Sequence, residues 1–182
     1  ILQSKQNGLY RVHEGPTPEK KDVLRGYLKA MGVGLTIGDE PTPGEFQRIA
    51  EATKERPDAQ QIHTMLLRSM QQAIYTPINS GHFGLAFEAY THCTSPIRRY
   101  PDLLTHRVIK ALLSGQRYVP RAPGADEEDP GPAAKRRAAQ QKPAAEPAQI
   151  ERWEQYGIVC SANERRADEA SRDVAAWLKS QY

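Results

Sequence analysis

The stretch HFGLAFEAYTHCTSPIRRYPDLLTHR, residues 82–107, contains the clearest change of local pattern in this 182-residue chain. Its first nine residues alternate loosely between apolar and other side chains, which predicts a strand over residues 82–90. After Pro96 the apolar residues recur at helical spacing, which predicts a helix to about residue 114.

Helical patterns occur on both sides of this stretch. Thr17-Pro18 and Thr42-Pro43 each have the chemistry of an N-cap followed by the first helical residue, so helices are predicted to begin there. Further elements are predicted at residues 9–13 (strand), 58–75 (helix capped by Asp58) and about 148–180 (one long helix, or two joined near Gly157). The predicted fold is therefore α+β and helix-rich, with about five helices around a few strands, and incomplete as it stands.

Residues 116–149 differ in composition from the rest of the chain. They hold six of its 14 prolines and almost no large apolar residue beyond Tyr118 and Val119. Such a segment buries too little apolar surface to offset the entropy of ordering it. We therefore predict a flexible insertion rich in Pro, Ala and charged residues.

Charge and cysteine content exclude some classes of function. The net charge is only +3, which does not by itself indicate a nucleic-acid partner. Cys93 and Cys160 lie far apart with no neighbouring Cys/His cluster, so we predict two reduced thiols in a cytoplasmic protein and no zinc site. No apolar run approaches the ~18 residues that a membrane span needs. Because the chain begins without Met and ends in a helical pattern, we expect a piece of a longer polypeptide.

The Ser-Pro turn has the features of an anion site. Helix N-termini attract anions, and the hydroxyls of Thr94 and Ser95 precede the predicted helix. Arg98 and Arg99 would then occupy its first turn, where positive charge opposes the helix dipole. A bound phosphodiester would remove that conflict, because a guanidinium can hold a phosphate bidentately, with His92 as a further donor.

A structural explanation of the same arginines remains open at this point. Asp102 is four residues after Arg98 and three after Arg99, and either spacing allows an ion pair on a helix. Spacing alone does not decide between phosphate binding and structural ion pairing.

Three stretches together resemble a known family. Residues 82–107, RPDAQQIHTMLLRSMQQAIY (56–75) and NERRADEASRDVAAWLKSQY (163–182) are similar to the ribonuclease II/ribonuclease R family, in the C-terminal half of its RNB catalytic domain. The similarity is greatest to the ribonuclease R members. It covers nearly the whole chain except residues 116–149, and the run TSPIRRYPDL followed by His-Arg is highly specific.

The resemblance implies an activity and a set of site residues. It implies a 3′-to-5′ exoribonuclease that hydrolyses single-stranded RNA processively to nucleoside 5′-monophosphates, with Mg²⁺ held by a cluster of aspartates. It places Arg98 at the scissile phosphate as the catalytic residue of this chain. It also implies that the RNA channel is lined by Tyr90, His92, Thr94, Ser95, Arg99 and Arg107.

The sequence departs from the family pattern in one important respect. Residues 1–115 contain no aspartate cluster, and the acidic run at 126–129 lies in the predicted insertion. The Mg²⁺ ligands are therefore expected in a missing upstream half of the domain, and the chain is expected to be inactive alone. Because splitting a domain exposes apolar surface, we expect it to associate with that missing half or with itself.

Two other classes of function stay open. The first is a non-catalytic RNA-binding or adaptor protein with an RNB-like fold. The second is a helical scaffold that binds proteins through amphipathic faces. RNA affinity that falls steeply with salt would separate the RNA-binding classes from the scaffold, because phosphate contacts release counterions.

Overall fold

The computed structural model describes residues 6–121 and 146–181. These residues form mainly helices with a two-stranded sheet, which confirms the α+β prediction. In chain order the elements are β1 (Tyr10–Val12), α1 (Pro18–Ala30), α2 (Pro43–Thr53), α3 (Ala59–Ser69), β2 (Ile74–Thr76), a 3₁₀ helix (Phe83–Leu85), α4 (Tyr100–Leu113) and α5 (Glu146–Ser180). The paired strands are β1 and β2.

The chain divides into two compact units. Residues Arg11–Ile74 and Asn79–Tyr90 form the three-helix unit, which contains α1, α2 and α3. The two-helix unit contains α4 and α5 and comprises residues 6–10, Tyr75–Ile78 and the described residues from Thr91 onward.

Local capping chemistry determines where the first helices of the three-helix unit begin. The Thr17 hydroxyl accepts the Lys20 N–H at the start of α1. At α2, Thr42 and Glu45 form a reciprocal capping box, and hydrogen bonds from the Thr42 and Gly38 N–H groups lower the pKa of Glu45. Asp58 occupies the N-cap position of α3, but its carboxylate accepts from Arg56 instead of capping the helix.

Each unit has its own apolar core. In the three-helix unit the core consists of Leu24, Leu28, Ile37, Phe46, Ile49, Ile62 and Leu66. In the two-helix unit, Trp153 of α5 is 1% exposed and packs with the fully buried Leu104 and Val108 of α4. Burial of side chains this large stabilises a fold by roughly 1.5–3 kcal/mol each. α4, which follows the Ser-Pro turn, is therefore packed against α5 through this core.

The predicted strand over residues 82–90 is wrong. Ala86, which lies inside this range, has φ 55°, and this value is incompatible with an extended run. The chain instead forms a 3₁₀ turn, and His82 makes only single bridges to His13 and Phe87. Alternating apolar residues here reflect a compact turn rather than a pleated strand.

Two predicted helix boundaries also need correction. The predicted third helix runs to residue 75, whereas α3 ends at Ser69 and residues Ile74–Thr76 form β2. The predicted fourth helix begins after Pro96, whereas α4 begins at Tyr100 and residues 96–98 form a turn.

The last helix is continuous, which decides between the two possibilities that the sequence left open. α5 extends for 35 residues and passes through Gly157 without a break. Of the predicted insertion at 116–149, residues 122–145 lie outside the described residues, so its flexibility stays a prediction. In the part of the chain that the structure describes, no helix is both long enough and apolar enough to cross a membrane.

Candidate nucleic-acid interface

A tight turn before α4 brings several of the predicted site residues together. The Ser95 carbonyl accepts the N–H groups of Arg98 and Arg99, at 3.3 and 3.0 Å. We call residues 95–99 the Ser95–Arg99 turn. Its geometry leaves Arg99 as the N-cap residue of α4, with Pro101 and Asp102 in the first helical turn.

Asp102 is the central acceptor of this turn. Its side chain is fully buried, and its Oδ2 accepts from the Ser95 N–H at 2.7 Å and from the Arg99 guanidinium at 2.9 Å. The same Arg99 nitrogen donates to the Thr94 hydroxyl at 3.3 Å. Arg99 therefore forms a structural ion pair with Asp102. Structural ion pairing was one of the two alternatives that spacing left open.

Arg98 has a different environment from its neighbour. Its side chain is exposed and forms no hydrogen bond or ion pair with any residue of 6–121 or 146–181. The adjacent Ile97 side chain is 102% exposed, so this tip of the turn projects from the two-helix unit. The prediction that both arginines lie in the first helical turn is wrong, because α4 begins only at Tyr100. The exposed guanidinium of Arg98 is nevertheless available to an anion that binds near the N-terminus of α4.

Two further residues of α4 reinforce the region. His106 Nε2 lies 2.6 Å from the Cys93 carbonyl oxygen. This contact connects α4 to the segment that precedes the Ser95–Arg99 turn. Arg107 donates to the hydroxyls of Tyr118 and Tyr100, each at 3.4 Å, and its pKa is raised chiefly by the Tyr118 contact. Arg107 is thus an exposed, permanently charged group held by two phenols.

His92 is anchored from a strand that the sequence did not implicate. Its Nδ1 lies 2.9 Å from the hydroxyl of Tyr75, and the two rings meet edge to face at 5.7 Å. The Tyr75 hydroxyl also donates to Glu164 of α5 at 3.4 Å. Tyr75 and Glu164 were missed because no local spacing connects residues so far apart in the chain. The available signal was the row Gly157, Ser161 and Glu164, which puts small and polar residues on one face of α5.

Tyr90 has ring contacts of its own. It belongs to the three-helix unit, where its ring meets those of His82 at 5.2 Å and Phe87 at 6.0 Å. The two-helix unit by itself contains His92, Thr94, Ser95, Arg98, Arg99 and Arg107.

The described residues do not fit a magnesium site. No group of three or more His, Cys, Asp and Glu side chains in residues 6–121 and 146–181 could hold a metal ion. Asp102 Oδ1 is buried without a hydrogen-bond partner among them, but the other oxygen of that carboxylate is paired with Arg99. A carboxylate already neutralised by a guanidinium is a poor ligand for a divalent cation. The interface described here is therefore a cationic one.

Comparisons with known proteins agree on one family. A family model described as the RNB domain matches residues 1–115. The whole chain is 42% identical to ribonuclease R of Vibrio cholerae and of Escherichia coli, and 178 residues are 38% identical to ribonuclease R of Thermotoga maritima. It covers 20% of the length of the first two proteins and 21% of the third, so the chain spans about a fifth of the curated relatives it matches.

Solved structures show the same fold. Mycoplasma genitalium RNase R in complex with ribose methylated single-stranded RNA matches with a TM-score of 0.75 at 22% identity, over 98% of this chain and 24% of that one. Yeast Ssd1, described as a pseudonuclease, matches with a TM-score of 0.57 at 25% identity, over 66% of this chain and 15% of that one.

Proposed function

This chain belongs to the RNB domain family, and we propose that the protein it comes from is a 3′-to-5′ exoribonuclease. We propose that it hydrolyses single-stranded RNA processively to nucleoside 5′-monophosphates. Similarity to ribonuclease R of Vibrio cholerae and to Mycoplasma genitalium RNase R in complex with single-stranded RNA supports a ribonuclease that binds RNA. In this proposal the chain supplies the phosphate-contacting arginine and part of the RNA channel.

The observation that carries the proposal is the contrast between two adjacent arginines. Arg99 is used by the fold, because it pairs with the buried Asp102. Arg98 is exposed and has no ion pair or hydrogen bond with the described residues, at the tip of a turn that Asp102 holds in place. An exposed guanidinium on a backbone turn that leads into a helix is suited to a phosphate, which it can bind with two parallel hydrogen bonds.

That geometry suggests how Arg98 would assist hydrolysis. Negative charge on the phosphoryl oxygens is redistributed as the bond between phosphorus and the 3′ oxygen of the remaining RNA breaks, so that the phosphate departs with the released nucleotide. A guanidinium aimed at those oxygens helps the reaction to the extent that it binds the transition state better than the substrate. The hydroxyls of Thr94 and Ser95 and the cation of Arg107 would position neighbouring backbone groups, a role that selects no base.

Magnesium is also part of the proposal, but its ligands are proposed to lie outside this chain. When bound, the ion would activate water for attack at phosphorus. The described residues do not fit such a site, so no step of the reaction is assigned to this chain through the metal. The missing ligands are the reason that we propose association with an upstream half of the domain, and self-association if that half is absent.

The proposed function is tested with the full-length protein and a 5′-labelled single-stranded RNA in the presence of Mg²⁺. We expect a ladder that shortens from the 3′ end, release of nucleoside 5′-monophosphates, and short products even when excess unlabelled RNA traps dissociated enzyme. A circular RNA of the same sequence has no 3′ end and is the matched control. Cleavage of the circular RNA, or internal cuts in the linear one, would contradict the proposal.

Two observations favour a second candidate, a non-catalytic RNA-binding or adaptor protein. The chain is structurally similar to a protein described as a pseudonuclease, and its described residues contain no carboxylate cluster for a metal. The same assay separates the two candidates. RNA that is bound but never shortened by the full-length protein would favour the non-catalytic candidate.

A further inference from the structure

One face of α5 holds Tyr75 at three successive points. A Cβ on Gly157 would clash with the Tyr75 carbonyl oxygen, so only glycine permits this approach. Ser161 Oγ accepts the Tyr75 N–H at 2.9 Å while donating to the Gly157 carbonyl at 2.7 Å. Glu164 Oε1 then accepts from the Tyr75 hydroxyl at 3.4 Å. Positions i, i+4 and i+7 share one helix face, so α5 fixes both the backbone and the tip of this tyrosine.

The tip of Tyr75 connects this helix face to a predicted RNA contact. The residue is only 4% exposed, and its hydroxyl lies 2.9 Å from His92 Nδ1 as well as next to Glu164. A hydroxyl has one hydrogen to donate, and an ionised carboxylate is a stronger acceptor than a neutral imidazole nitrogen. Both contacts are satisfied when His92 Nδ1–H donates to Tyr75 and Tyr75 O–H donates to Glu164.

This arrangement determines how His92 can meet a ligand. Because Nδ1 is committed to Tyr75, a nitrogen contact with a ligand must use Nε2. A histidine ring whose second nitrogen is held by a hydrogen bond has a defined orientation and tautomer. The same logic, in which an outer group orients an inner one, governs many binding sites.

We propose that Tyr75 and Glu164 are positioning residues that orient His92 toward the RNA backbone. The inference rests on the proposed function, because it gives His92 an RNA ligand. It adds Tyr75 and Glu164 to the residues that serve the proposed function. It also gives α5 a role, because α5 would orient His92, which lies just before the Ser95–Arg99 turn in the chain. A purely structural explanation is that the Tyr75 hydroxyl only needs partners because it is buried.

The test is a double-mutant cycle in the full-length protein. Affinity for a single-stranded oligonucleotide RNA is measured with a chelator present, so that no cleavage interferes. The variants are Tyr75→Phe, which removes only the hydroxyl, His92→Ala and the double variant, with Tyr27→Phe of α1 as a matched control. We expect Tyr75→Phe and His92→Ala each to weaken binding about fivefold, and the double variant to be no weaker than His92→Ala alone.

Glu164 provides a second arm if Tyr75→Phe does not fold. Glu164→Gln keeps an oxygen that can accept from Tyr75, so it should retain most of the affinity, whereas Glu164→Ala should lose about as much as Tyr75→Phe. If Glu164 had only a structural role, both Glu164→Gln and Glu164→Ala would lower the stability of the protein. Their effects on RNA affinity would then be independent of His92.

The possible failures are distinguishable. If the wild-type protein binds RNA but loss at Tyr75 or Glu164 has no effect, or adds fully to that of His92→Ala, the positioning inference is overturned and the proposed function stands. If the wild-type protein neither binds nor shortens RNA, both are overturned.

Discussion

Arg98 and Arg99 show how two identical neighbouring side chains acquire different roles. Spacing predicted that one of them could pair with Asp102, but it did not identify which. The decision depends on where the helix begins, and a start at Tyr100 puts Arg99 at the N-cap, within reach of the buried carboxylate. That start is set by the turn hydrogen bonds of Ser95, which are not a property of any single residue.

Removing the charge of Asp102 should destabilise the fold. Asp102→Asn leaves the Arg99 guanidinium partly buried without its counter-charge, and the free energy of unfolding should fall by about 3 kcal/mol. Asp168→Asn on the exposed part of α5 is the control and should change it by less than about 0.5 kcal/mol. Urea denaturation followed by circular dichroism measures both. Equal effects of the two substitutions would show that the buried ion pair between Arg99 and Asp102 adds no more stability than an exposed carboxylate.

Cys160 should be an unreactive thiol. Burial, with a smaller contribution from the nearby Glu164 carboxylate, raises the pKa of Cys160 to about 11. A raised thiol pKa means that the reactive thiolate is scarce at pH 8. Peptide mass spectrometry after brief treatment of the native full-length protein with iodoacetamide should find Cys160 unmodified, and rapidly modified after unfolding. Fast native modification at pH 8 would contradict the buried environment.

Among the secondary-structure elements, those with local signals were predicted and those set by distant contacts were not. The starts of α1 and α2 follow from capping chemistry that lies within four residues, and both were placed correctly. The 3₁₀ turn at Phe83–Leu85 depends on the left-handed Ala86 and on backbone hydrogen bonds with His13, which alternation of apolar residues cannot indicate. The Tyr75 contacts of α5 join segments more than 80 residues apart and have no local signal.

Replacing glycine by alanine should change the free energy of unfolding in opposite directions at Gly157, where α5 lies close to β2, and at Gly26 of α1. Alanine is favoured over glycine in a helix by roughly 1 kcal/mol. Gly26→Ala in α1 meets no atom within 4 Å and should raise the free energy of unfolding by about that amount. Gly157→Ala would force a Cβ against the Tyr75 carbonyl and should lower it by about 1–3 kcal/mol. Thermal or urea unfolding measures both, and stabilisation by Gly157→Ala would show that this contact is not tight.

At the scale of the whole molecule, the family could be predicted from the sequence but the complete active site could not. The run TSPIRRYPDL is specific enough to indicate an RNB domain, and the family match confirms it. The metal ligands could not be placed, because the described residues hold no suitable cluster and the chain spans about a fifth of its relatives. The net charge of +3 is also uninformative, since phosphate binding depends on the placement of a few arginines rather than on their total.

RNA binding by the full-length protein should therefore depend on salt through individual contacts. If Arg107 contacts a backbone phosphate, Arg107→Ala should reduce the slope of log affinity against log salt by about 0.7. Arg48→Ala on the exposed surface of α2 is the control and should leave the slope unchanged. Fluorescence anisotropy at four or five salt concentrations, with a chelator present, gives both slopes. Identical slopes for wild type and Arg107→Ala would remove Arg107 from the interface.

The central claim is that Arg98 acts on the phosphate during the chemical step. The most direct measurement is the single-turnover rate of 3′-end shortening, together with RNA affinity, for wild type, Arg98→Ala and the control Arg48→Ala in the full-length protein. We predict that Arg98→Ala slows shortening by about 100- to 1,000-fold while affinity changes by less than about fivefold. An unchanged rate, or a loss of rate that saturating RNA fully restores, would contradict the claim.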